Sequence, residues 1–519
     1  MKLSELTRKD EIGIVSIDGF LPHGMDADLS DPQYDSRRVT KGSTFVAIKG
    51  FTVDGHKFIA ASIEKGASIV VIEDGSALSE GDAIAKQVTR IIVKDTRAAL
   101  AHIAELYFDE PSKKLRIIGV TGTNGKTTTT NVIKQLLEAG NEKVGLIGTI
   151  GTWIGDEHIP TTHTTPESRD LSELMARMVS EGVETCVMEV SSHALELKRV
   201  AALDFDIAVF TNLTQDHLDF HSDMEAYCKA KQKLFKGLKD TAVAISNADS
   251  PYCDKMIGDT IANSHTYGVL KEGDTFGHAD LVASNIRQSL DITRFTLSKR
   301  YSDESAEFET SLIGRFNIEN VLAALTALYF GIEGYSLTRL AELLPRVQAI
   351  RGRFEQVALP NGSIAIVDYA HTPDALENVI RTARSLMEQT GSVGRLWVVF
   401  GCGGDRDRQK RPLMGSIASN LADRIILTND NPRSEDPRDI LTQIEAGLEP
   451  GSDYEVIEDR RKAIETALSA TSSSDVVVIA GKGHETYQII GKETTHFDDR
   501  EEVLNWASAT ANARAAAHR

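Results

Sequence analysis

Short apolar segments alternate with helical segments along most of this chain, and this alternation limits the possible folds more than any other feature. Five apolar segments in the middle of the chain have the length of buried strands: Leu115–Val120, Val144–Gly148, Thr185–Val190, Ile207–Asn212 and Ala242–Asn247. Strands that alternate with helices usually form a mostly parallel sheet covered on both faces. The sequence therefore predicts an α/β fold.

The pattern recurs, so the 519 residues are predicted to form three domains. Residues 1–110 form a small N-terminal α/β domain with two helical stretches. Residues 111–345 form the central domain, which begins with a linker at Pro111–Lys114, contains a β-hairpin within 280–312 and continues with a helix at Asn317–Gly331. Residues 346–519 form a Rossmann-like α/β domain whose predicted strands are Ile364–Val367, Leu396–Phe400, Arg424–Thr428, Tyr454–Ile457 and Val476–Ile479.

Charge and composition exclude several classes of function. The formal net charge is −19, which disfavours general binding to nucleic acid or to an anionic membrane. No apolar run approaches the ~18 residues of a membrane span, and the polar N-terminus lacks the apolar core of a signal peptide. The four cysteines lie far apart and are expected to be free thiols. We expect a cytoplasmic protein without membrane insertion, and a monomer.

A glycine-rich turn follows the strand Leu115–Val120 and opens a helix. The segment Thr121–Thr128 reads TGTNGKTT, and its backbone N–H groups and helix N-terminus are expected to face a phosphate. Lys126 would place a positive charge near terminal phosphates, and the Thr127 hydroxyl could bind Mg²⁺. The usual signature has glycine where this chain has Val120, so a chance glycine-rich turn is the alternative. The flanking strand and helix favour a P-loop ATPase-like central domain.

Carboxylate and imidazole side chains follow two other strands of the central domain. Glu189 lies at the end of one predicted strand, and His217 follows the next. The carboxyl ends of parallel strands are where open α/β sheets bind ligands. Glu189 and His217 are therefore candidate Mg²⁺ ligands beside Thr127. The alternative is a polar turn with surface histidines.

A series of motifs, in order over nearly the whole chain, resembles the Mur ligase family. The motifs are Thr121–Thr128, Glu189–His193, Asn212–His221, Ala230-Lys231, Gly314–Asn320, Gly352–Glu355 and Asp368–Pro373. The resemblance implies an ATP-dependent ligase that adds an amino acid to a UDP-linked peptide precursor of the cell wall. Three features are similar to the branch that acts on UDP-N-acetylmuramoyl-L-alanyl-D-glutamate: Asp35-Ser36-Arg37, Thr164-Thr165-Pro166 and Asp430–Arg433.

The resemblance also implies roles for individual residues. ATP would contact Gly122, Thr123, Asn124, Gly125, Lys126, Thr127, Thr128, Asn317, Asn320 and Arg353. The UDP-sugar-peptide would contact Ser36, Phe51, Thr52, Val53, Thr164, Thr165, Ser191 and Arg199. The incoming amino acid would contact Arg406, Asp430, Asn431, Pro432, Arg433, Gly481 and Glu485. The metal ligands would be Thr127, Glu189, His217 and Lys231. His163 and Leu197 replace Asn and Gln of some relatives, which puts detailed substrate contacts in doubt.

The implied reaction activates a carboxylate by phosphorylation, and an amine then displaces phosphate to form an amide. Lys126, His217 and Lys231 are the predicted catalytic residues, and ATP and Mg²⁺ the predicted cofactors. Lys231 would be carbamylated (N6-carboxylysine), because a free ammonium group beside Mg²⁺ is electrostatically unfavourable whereas a carbamate supplies an anionic oxygen. The attacking amine needs a general base, for which His217 and His371 are candidates.

Arg433 predicts which amino acid is added. Its planar guanidinium suits the distal carboxylate of meso-2,6-diaminopimelate and would repel the distal ammonium group of lysine. An Arg in a surface turn is the alternative. Gly401–Arg406 lacks full dinucleotide-binding spacing and is interpreted as a loop that positions Arg406. Three other functions stay open: a lysine-adding ligase, a folylpolyglutamate-type ligase and a nucleotide-dependent switch that hydrolyses ATP without ligation.

Overall fold

The computed structural model describes residues 2–22, 24–26, 28–50, 53–161, 163–270, 279–289, 291–389 and 391–517. Phe51 and Thr52, predicted to contact the nucleotide, lie outside the described residues. The described strands form three large sheets and one two-stranded sheet. Each predicted domain, 1–110, 111–345 and 346–519, encloses one large sheet, although these boundaries themselves stay a prediction.

The N-terminal region forms a five-stranded sheet in the order β1-β5-β4-β3-β2, in which only β1 runs antiparallel to its neighbour. Its strands are β1 Ile14–Gly19, β2 Pro32–Gln33, β3 Thr44–Val46, β4 Ile69–Ile72 and β5 Thr89–Val93. Its helices are α1 Leu3–Leu6, α2 Ile59–Glu64, α3 Glu80–Ala85 and α4 Thr96–Tyr107. The described helices thus outnumber the two predicted stretches, because α1, α2 and α3 are too short to show helical periodicity.

The central region forms an eleven-stranded sheet among the described residues, in the order β16-β15-β14-β13-β12-β11-β6-β10-β7-β8-β9. Its strands are β6 Arg116–Thr121, β7 Val144–Gly148, β8 Gly151–Ile154, β9 Glu157–Ile159, β10 Thr185–Glu189, β11 Ile207–Phe210, β12 Val243–Asn247, β13 Asn263–Val269, β14 Leu281–Gln288, β15 Thr293–Lys299 and β16 Ser305–Thr310. Its helices are α5 Lys126–Ala139, α6 Ser168–Ser180, α7 Ser192–Glu196, α8 Met224–Lys236, α9 Cys253–Ile257, α10 Arg315–Gly331 and α11 Leu337–Leu343.

The middle of this sheet is parallel, as predicted, and is buried on both faces. Ile118 and Val120 of β6 pack with α5 and α10 on one face. Ile117, one residue earlier, packs with α6 and α8 on the other face. This alternation explains why β6 is an uninterrupted apolar run.

Two local predictions differ from the structure. The segment 280–312 contains three strands rather than a hairpin, and β14 continues the main sheet by pairing parallel with β13. Residues Pro111–Lys114 form a 3-10 turn rather than a free linker. Pro111 and Ser112 are buried, and the Ser112 N–H donates to Glu105 Oε1 at 2.7 Å. The connection between the first two domains is therefore packed.

The C-terminal region forms a six-stranded sheet in the order β17-β18-β22-β19-β20-β21, parallel except for β17. Its strands are β17 Glu355–Ala358, β18 Ile364–Asp368, β19 Leu396–Phe400, β20 Arg424–Leu427, β21 Tyr454–Val456 and β22 Val476–Ala480, followed by a hairpin of β23 Tyr487–Ile490 and β24 Glu493–His496. Its helices are α12 Pro373–Gln389, α13 Lys410–Leu421, α14 Pro437–Glu445, α15 Arg460–Ala470 and α16 Asp499–Ala517.

Candidate active site

The phosphate loop connects β6 to α5, and its glycines are required by the backbone. Gly125 has φ of 86°, a left-handed conformation that favours glycine. A Cβ at Gly125 would overlap Asn320 Oδ1, and one at Gly122 would overlap Thr211 Oγ1. The loop is thus pressed against neighbouring elements. The Thr123 and Asn124 N–H groups donate to Asn212, so the start of α5 is the part of the loop best suited to an anion.

Lys126 is the first residue of α5 and lies over the loop. Its Nζ donates to the carbonyl oxygens of Gly122 and Thr123, both at 2.8 Å. Burial lowers the pKa of Lys126, whereas the charges of Glu189 and Asp216 act in the opposite direction. This cation is held where it can neutralise phosphate oxygens.

Glu189 is the centre of a buried oxygen cluster. It accepts hydrogen bonds from Thr127 Oγ1 at 3.0 Å, from the Thr149 N–H at 2.8 Å and from Thr149 Oγ1 at 3.1 Å. Arg353, from the C-terminal region, donates from Nη2 to Thr127 Oγ1 at 2.9 Å. The Glu189 carboxylate and the Arg353 guanidinium therefore both contact the hydroxyl of Thr127, a residue of the phosphate loop.

The donors in this cluster suit a hard cation, because the Thr127 hydroxyl and the Glu189 carboxylate are oxygen ligands of the kind that Mg²⁺ prefers. Within the described parts of the chain, no group of three or more His, Cys, Asp or Glu side chains is arranged to hold a metal. A cation held here would therefore share its coordination with other oxygens, such as those of a nucleotide phosphate.

Lys231 lies on α8 and is 1% exposed. Its Nζ donates to the Gly122 carbonyl oxygen at 2.8 Å and lies 4.5 Å from the centre of the Tyr227 ring. Burial, and next the charge of Lys126, hold the pKa of Lys231 well below its usual value. Burial at this position therefore favours the neutral, nucleophilic form of the Lys231 amine.

Asp216 joins the central region to the C-terminal region. Its carboxylate lies 3.5 Å from His217 Nε2, 3.9 Å from His371 Nε2 and 3.9 Å from Lys410 Nζ. Burial opposes ionisation, but these basic neighbours lower the pKa of Asp216 below its usual range. Burial lowers the pKa of His217 to about 3 and that of His371 to about 4, so both imidazoles are neutral at pH 7.

A cavity of about 500 Å³ brings together most of the residues predicted for the central site. It is lined by Thr123, Asn124, Gly125, Lys126, Thr127, Thr164, Thr165, Glu189, Ser191, Arg199, His217, Lys231, Arg353 and Arg406, together with His163, Leu197 and His371. The cavity therefore connects the phosphate loop with residues predicted for the sugar-peptide arm and with one residue, Arg406, predicted for the amino acid.

A smaller cavity of about 160 Å³ lies on the other side of the loop. Asn320 and Thr128 line it, as does Asp374, which accepts from Asn124 Nδ2 at 2.8 Å. Asn317 does not appear among its described lining residues. Instead Asn317 is buried behind Asn320, and its Oδ1 lies 3.5 Å from Asn320 Nδ2. Its contact with ATP stays a prediction.

A third cavity, of about 540 Å³, lies where the N-terminal and central regions meet. Tyr34 Oη and Arg38 Nη1 both donate to Asp170 of α6, at 2.6 and 2.9 Å, and so fix this junction. His163 and Arg199 line both this cavity and the cavity of about 500 Å³, so the two are adjacent. Ser36 and Val53 lie near this end of the molecule but outside the described lining, and Val53 is 52% exposed.

The remaining predicted residues meet in a separate cluster in the C-terminal region. Asn431 Nδ2 donates to Glu485 Oε2 at 2.8 Å, and Asn431 Oδ1 accepts from Lys482 Nζ at 3.0 Å. Gly481 and Asp430 are in direct contact, because a Cβ on Gly481 would lie 2.5 Å from Asp430 Oδ2. The two loops predicted to hold the amino acid, Asp430–Arg433 and Gly481–Glu485, are therefore adjacent.

Arg433 and Glu485 have the charges that an amino acid with two ionic groups requires. Arg433 Nη1 donates to the Gly404 carbonyl oxygen at 2.8 Å, and its backbone is left-handed, with φ of 53°. Burial, and next the charge of Asp430, raise the pKa of Glu485 to about 7. Pro432 precedes Arg433 and is buried. A guanidinium and a carboxylate are thus held in one small region.

Thr149 and Lys482 are site residues that were not predicted from the sequence. Thr149 follows β7, at the same sheet edge as Glu189, so the rule for carboxyl ends of parallel strands could have identified it. Lys482 lies within the Gly481–Glu485 loop. Its side chain is fully buried, and nothing in the sequence indicates this burial. The four cysteines, predicted to be free thiols, are unpaired and buried.

Comparison with known proteins gives one consistent result. Three domain profiles match in order along the chain. The profile "Mur ligase family, catalytic domain" matches residues 33–108, "Mur ligase middle domain" matches 120–328, and "Mur ligase, glutamate ligase domain" matches 352–483.

Among the described helices, none has the length and apolar character of a membrane span.

Curated relatives match over most of their length. A protein of Caldanaerobacter subterraneus subsp. tengcongensis named UDP-N-acetylmuramoyl-L-alanyl-D-glutamate–2,6-diaminopimelate ligase is 46% identical over 92% of this chain and 94% of its own length. A protein of the same name from Geobacillus thermodenitrificans is 45% identical over 93% and 96%. A solved structure, also titled as this ligase, is 34% identical over 94% of this chain and 98% of its own, with a TM-score of 0.65.

Proposed function

Because this chain belongs to the Mur ligase family, we propose that it joins meso-2,6-diaminopimelate to UDP-N-acetylmuramoyl-L-alanyl-D-glutamate, with conversion of ATP to ADP and phosphate. The observation that carries this proposal is the cavity of about 500 Å³, lined by the phosphate loop, by Thr164 and Thr165, and by Arg353 and Arg406 of the C-terminal region. Groups for three reactants thus converge on one space.

Activation of the substrate carboxylate requires positioning and charge neutralisation. A carboxylate does not react usefully with an amine, because hydroxide is a poor leaving group, whereas an acyl phosphate releases phosphate readily. Lys126 and Arg353 would hold and neutralise the γ-phosphoryl group as it moves to the carboxylate oxygen. Mg²⁺, held by Thr127, Glu189 and His217, would supply further neutralisation of the phosphate oxygens. The nucleoside is assigned to the smaller cavity beside Asn320.

The second step needs a captured, neutral amine. Glu485 and Asp430 would hold the ammonium group of the incoming amino acid that does not react, and Arg433 its distal carboxylate. His371 is the better-placed base. Its Nδ1 lies 2.9 Å from the Tyr369 carbonyl oxygen, which requires Nδ1–H as the donor and leaves Nε2 unprotonated. His217 then remains available as a metal ligand.

Carbamylation of Lys231 is part of the proposal. A neutral amine attacks CO₂, and burial lowers the pKa of Lys231, which favours this neutral form. Native-state NMR with isotope-labelled bicarbonate is expected to show one carbamate signal that disappears in Lys231→Ala but persists in Lys229→Ala, whose exposed side chain is on the same helix. Full activity of a preparation in which Lys231 is demonstrably unmodified would refute this part.

The protein is proposed to act in the cytoplasm, where nucleotide-linked precursors are made. Purified protein with UDP-N-acetylmuramoyl-L-alanyl-D-glutamate, ATP and Mg²⁺ should release phosphate when diaminopimelate is added, and mass spectrometry should detect the tripeptide product. Equal turnover with L-lysine, ligation of glutamate to a folate, or ATP turnover without an amino acid would each replace this function with one of the alternatives.

A further inference from the structure

The two loops of the amino-acid site are not neighbours in the sheet. Asp430–Arg433 follows β20, and Gly481–Glu485 follows β22, but β19 lies between these strands in the described sheet order. The strands that precede the loops therefore do not pair with each other, and β19 separates their ends. Yet Gly481 and Asp430 are in contact, with no space for a side chain at Gly481. Asn431 bonds directly to Lys482 and Glu485 within the loops, and a further group joins the residues at which the two loops start.

Arg460 provides that connection. It is the first residue of α15, and its side chain is fully buried. Its Nη1 donates to the Asn429 carbonyl oxygen at 3.3 Å, and its Nη2 donates to the Ala480 carbonyl oxygen at 3.0 Å. These carbonyls belong to the residues directly before Asp430 and Gly481. One planar group thus joins the starts of both loops.

Asp499 fixes the orientation of this guanidinium. Arg460 Nε and Nη2 donate to Asp499 Oδ1 and Oδ2, both at 2.7 Å. Both side chains are fully buried, and Asp499 is the first residue of α16, where a carboxylate is favoured by the helix N-terminus. A bidentate pair of this kind allows one geometry only.

The charge of Arg460 also acts on the site. Burial would lower the pKa of Arg460, but Asp499, and next Asp430 and Glu485, raise it. Arg460 and Lys482 are both buried near the carboxylates of Asp430 and Glu485. A cation fixed near two carboxylates reduces their mutual repulsion and so stabilises the close approach of the two loops.

We propose that Arg460, oriented by Asp499, is a positioning residue that sets the spacing of the Asp430–Arg433 and Gly481–Glu485 loops and thereby the affinity for the incoming amino acid. The proposal rests on the proposed function, in which these loops bind diaminopimelate. Arg460 touches backbone carbonyls rather than substrate, so it acts through the two loops. The sites for ATP and for the UDP-linked substrate lie on other elements.

The test is the variant Arg460→Lys, which keeps the charge but cannot reach both carbonyls and the carboxylate with one planar group. We expect KM for diaminopimelate to rise on the order of 10- to 100-fold, as is typical when a supporting contact of a site is removed. KM for ATP and for the UDP-linked dipeptide should stay within about twofold of the wild type, since those sites do not depend on Arg460.

Arg384→Lys is the matched control. Arg384 donates to the Leu421 carbonyl oxygen at 3.0 Å and pairs with Asp423 at 2.9 Å, at the opposite end of β20. It should leave all three KM values unchanged. Asp499→Asn is the second variant, because it weakens the orientation of Arg460 without changing the arginine, and should raise KM for diaminopimelate alone.

The outcomes separate this inference from the proposed function. If the wild type forms no diaminopimelate product, the proposed function fails. If the wild type is active but folded Arg460→Lys and Asp499→Asn have normal KM for diaminopimelate, the inference fails alone. A parallel rise in all three KM values, or failure of both variants to fold, would make the pair an ordinary part of the core and would also overturn the inference.

Discussion

The phosphate loop and the proposed amino-acid site are built in different ways. The phosphate loop is one continuous segment, Thr121–Thr128, whose shape follows from its glycines and from the start of α5. The amino-acid site is assembled from segments about fifty residues apart, Asp430–Arg433 and Gly481–Glu485. The first uses backbone N–H groups and one lysine, whereas the second uses a buried network of side-chain charges.

Because the two regions are built differently, we expect them to respond differently to amino-acid substitutions. Backbone N–H groups cannot be removed by substitution, so the phosphate loop is vulnerable chiefly at Lys126 and at its glycines. In the amino-acid site every ionic contact is a side chain, and specificity can be altered one residue at a time. We therefore expect changes in the first region to abolish turnover and changes in the second to alter substrate choice.

The largest effect is expected for Lys126→Met. Methionine fills similar volume but removes the charge that neutralises the transferred phosphoryl group. We expect kcat to fall about 1,000-fold, the upper range for loss of one electrostatic donor. Single-turnover phosphate release is the measurement, with the folded state checked by circular dichroism.

Lys134→Met is the control for this change. Lys134 lies on the same helix, α5, and pairs with Glu138 at 2.6 Å, away from the loop. Its kcat should stay close to that of the wild type. Comparable activity in both variants would show that Lys126 has no role in phosphoryl transfer, and the contrast between the two regions would then lose its basis.

The two regions also differ in how much the sequence predicts. The phosphate loop was predicted with its flanking strand and helix, because a local pattern of glycines, lysine and threonine determines a local structure. The strands β7 and β19 match their predicted bounds. The meander β14–β16 was incompletely predicted, because short alternating segments do not reveal how strands pair with a distant sheet edge.

The C-terminal site could be predicted only in part. Arg433 and Glu485 were identified by resemblance, but the buried partners that hold the loops, Lys482, Arg460 and Asp499, were not. In a sequence, such charged residues look like ordinary surface residues. Their role depends on burial, which is a property of the tertiary structure, so only the structure reveals them.

The second-largest effect is expected for Arg433→Lys and Arg433→Ala. A charged, two-pronged hydrogen bond to the distal carboxylate contributes about 2–3 kcal/mol, so kcat/KM for diaminopimelate should fall on the order of 100-fold. Arg438→Lys, at an exposed position on α14, is the control. Initial-rate kinetics with diaminopimelate and L-lysine measure the effect, and an unchanged preference in both Arg433 variants would remove the specificity argument.

A smaller, pH-dependent effect is expected at Glu485. Its pKa of about 7 means that it loses its negative charge as pH falls, so its hold on the substrate ammonium group weakens. KM for diaminopimelate should therefore rise on the order of tenfold between pH 7 and pH 6, at most. Glu485→Gln should abolish this dependence, at the cost of a high KM at all pH values.

Glu319 provides the matched control in the other region. Burial raises its pKa to about 7 as well, but it lines the smaller cavity assigned to the nucleoside. In Glu319→Gln the pH profile of KM for diaminopimelate should be that of the wild type. If this variant flattened the profile and Glu485→Gln did not, the titrating group would belong to the phosphate-loop side of the molecule.

The smallest expected effect is on stability without ligands. A carboxyl group whose pKa rises from 4.5 to about 7 on folding binds more protons in the folded than in the unfolded state between these values. Folding stability contributed by Glu485 is therefore present below pH 4.5 and is lost as pH rises through 7.

Glu485→Gln has no carboxyl group to titrate at this position. The free energy of unfolding of the variant, relative to that of the wild type, should therefore be higher at pH 8 than at pH 5 by on the order of 1 kcal/mol. Thermal unfolding at both pH values measures the difference, with exposed Glu493→Gln as control. Equal Tm differences at pH 5 and pH 8 would show that folding does not shift the pKa of Glu485.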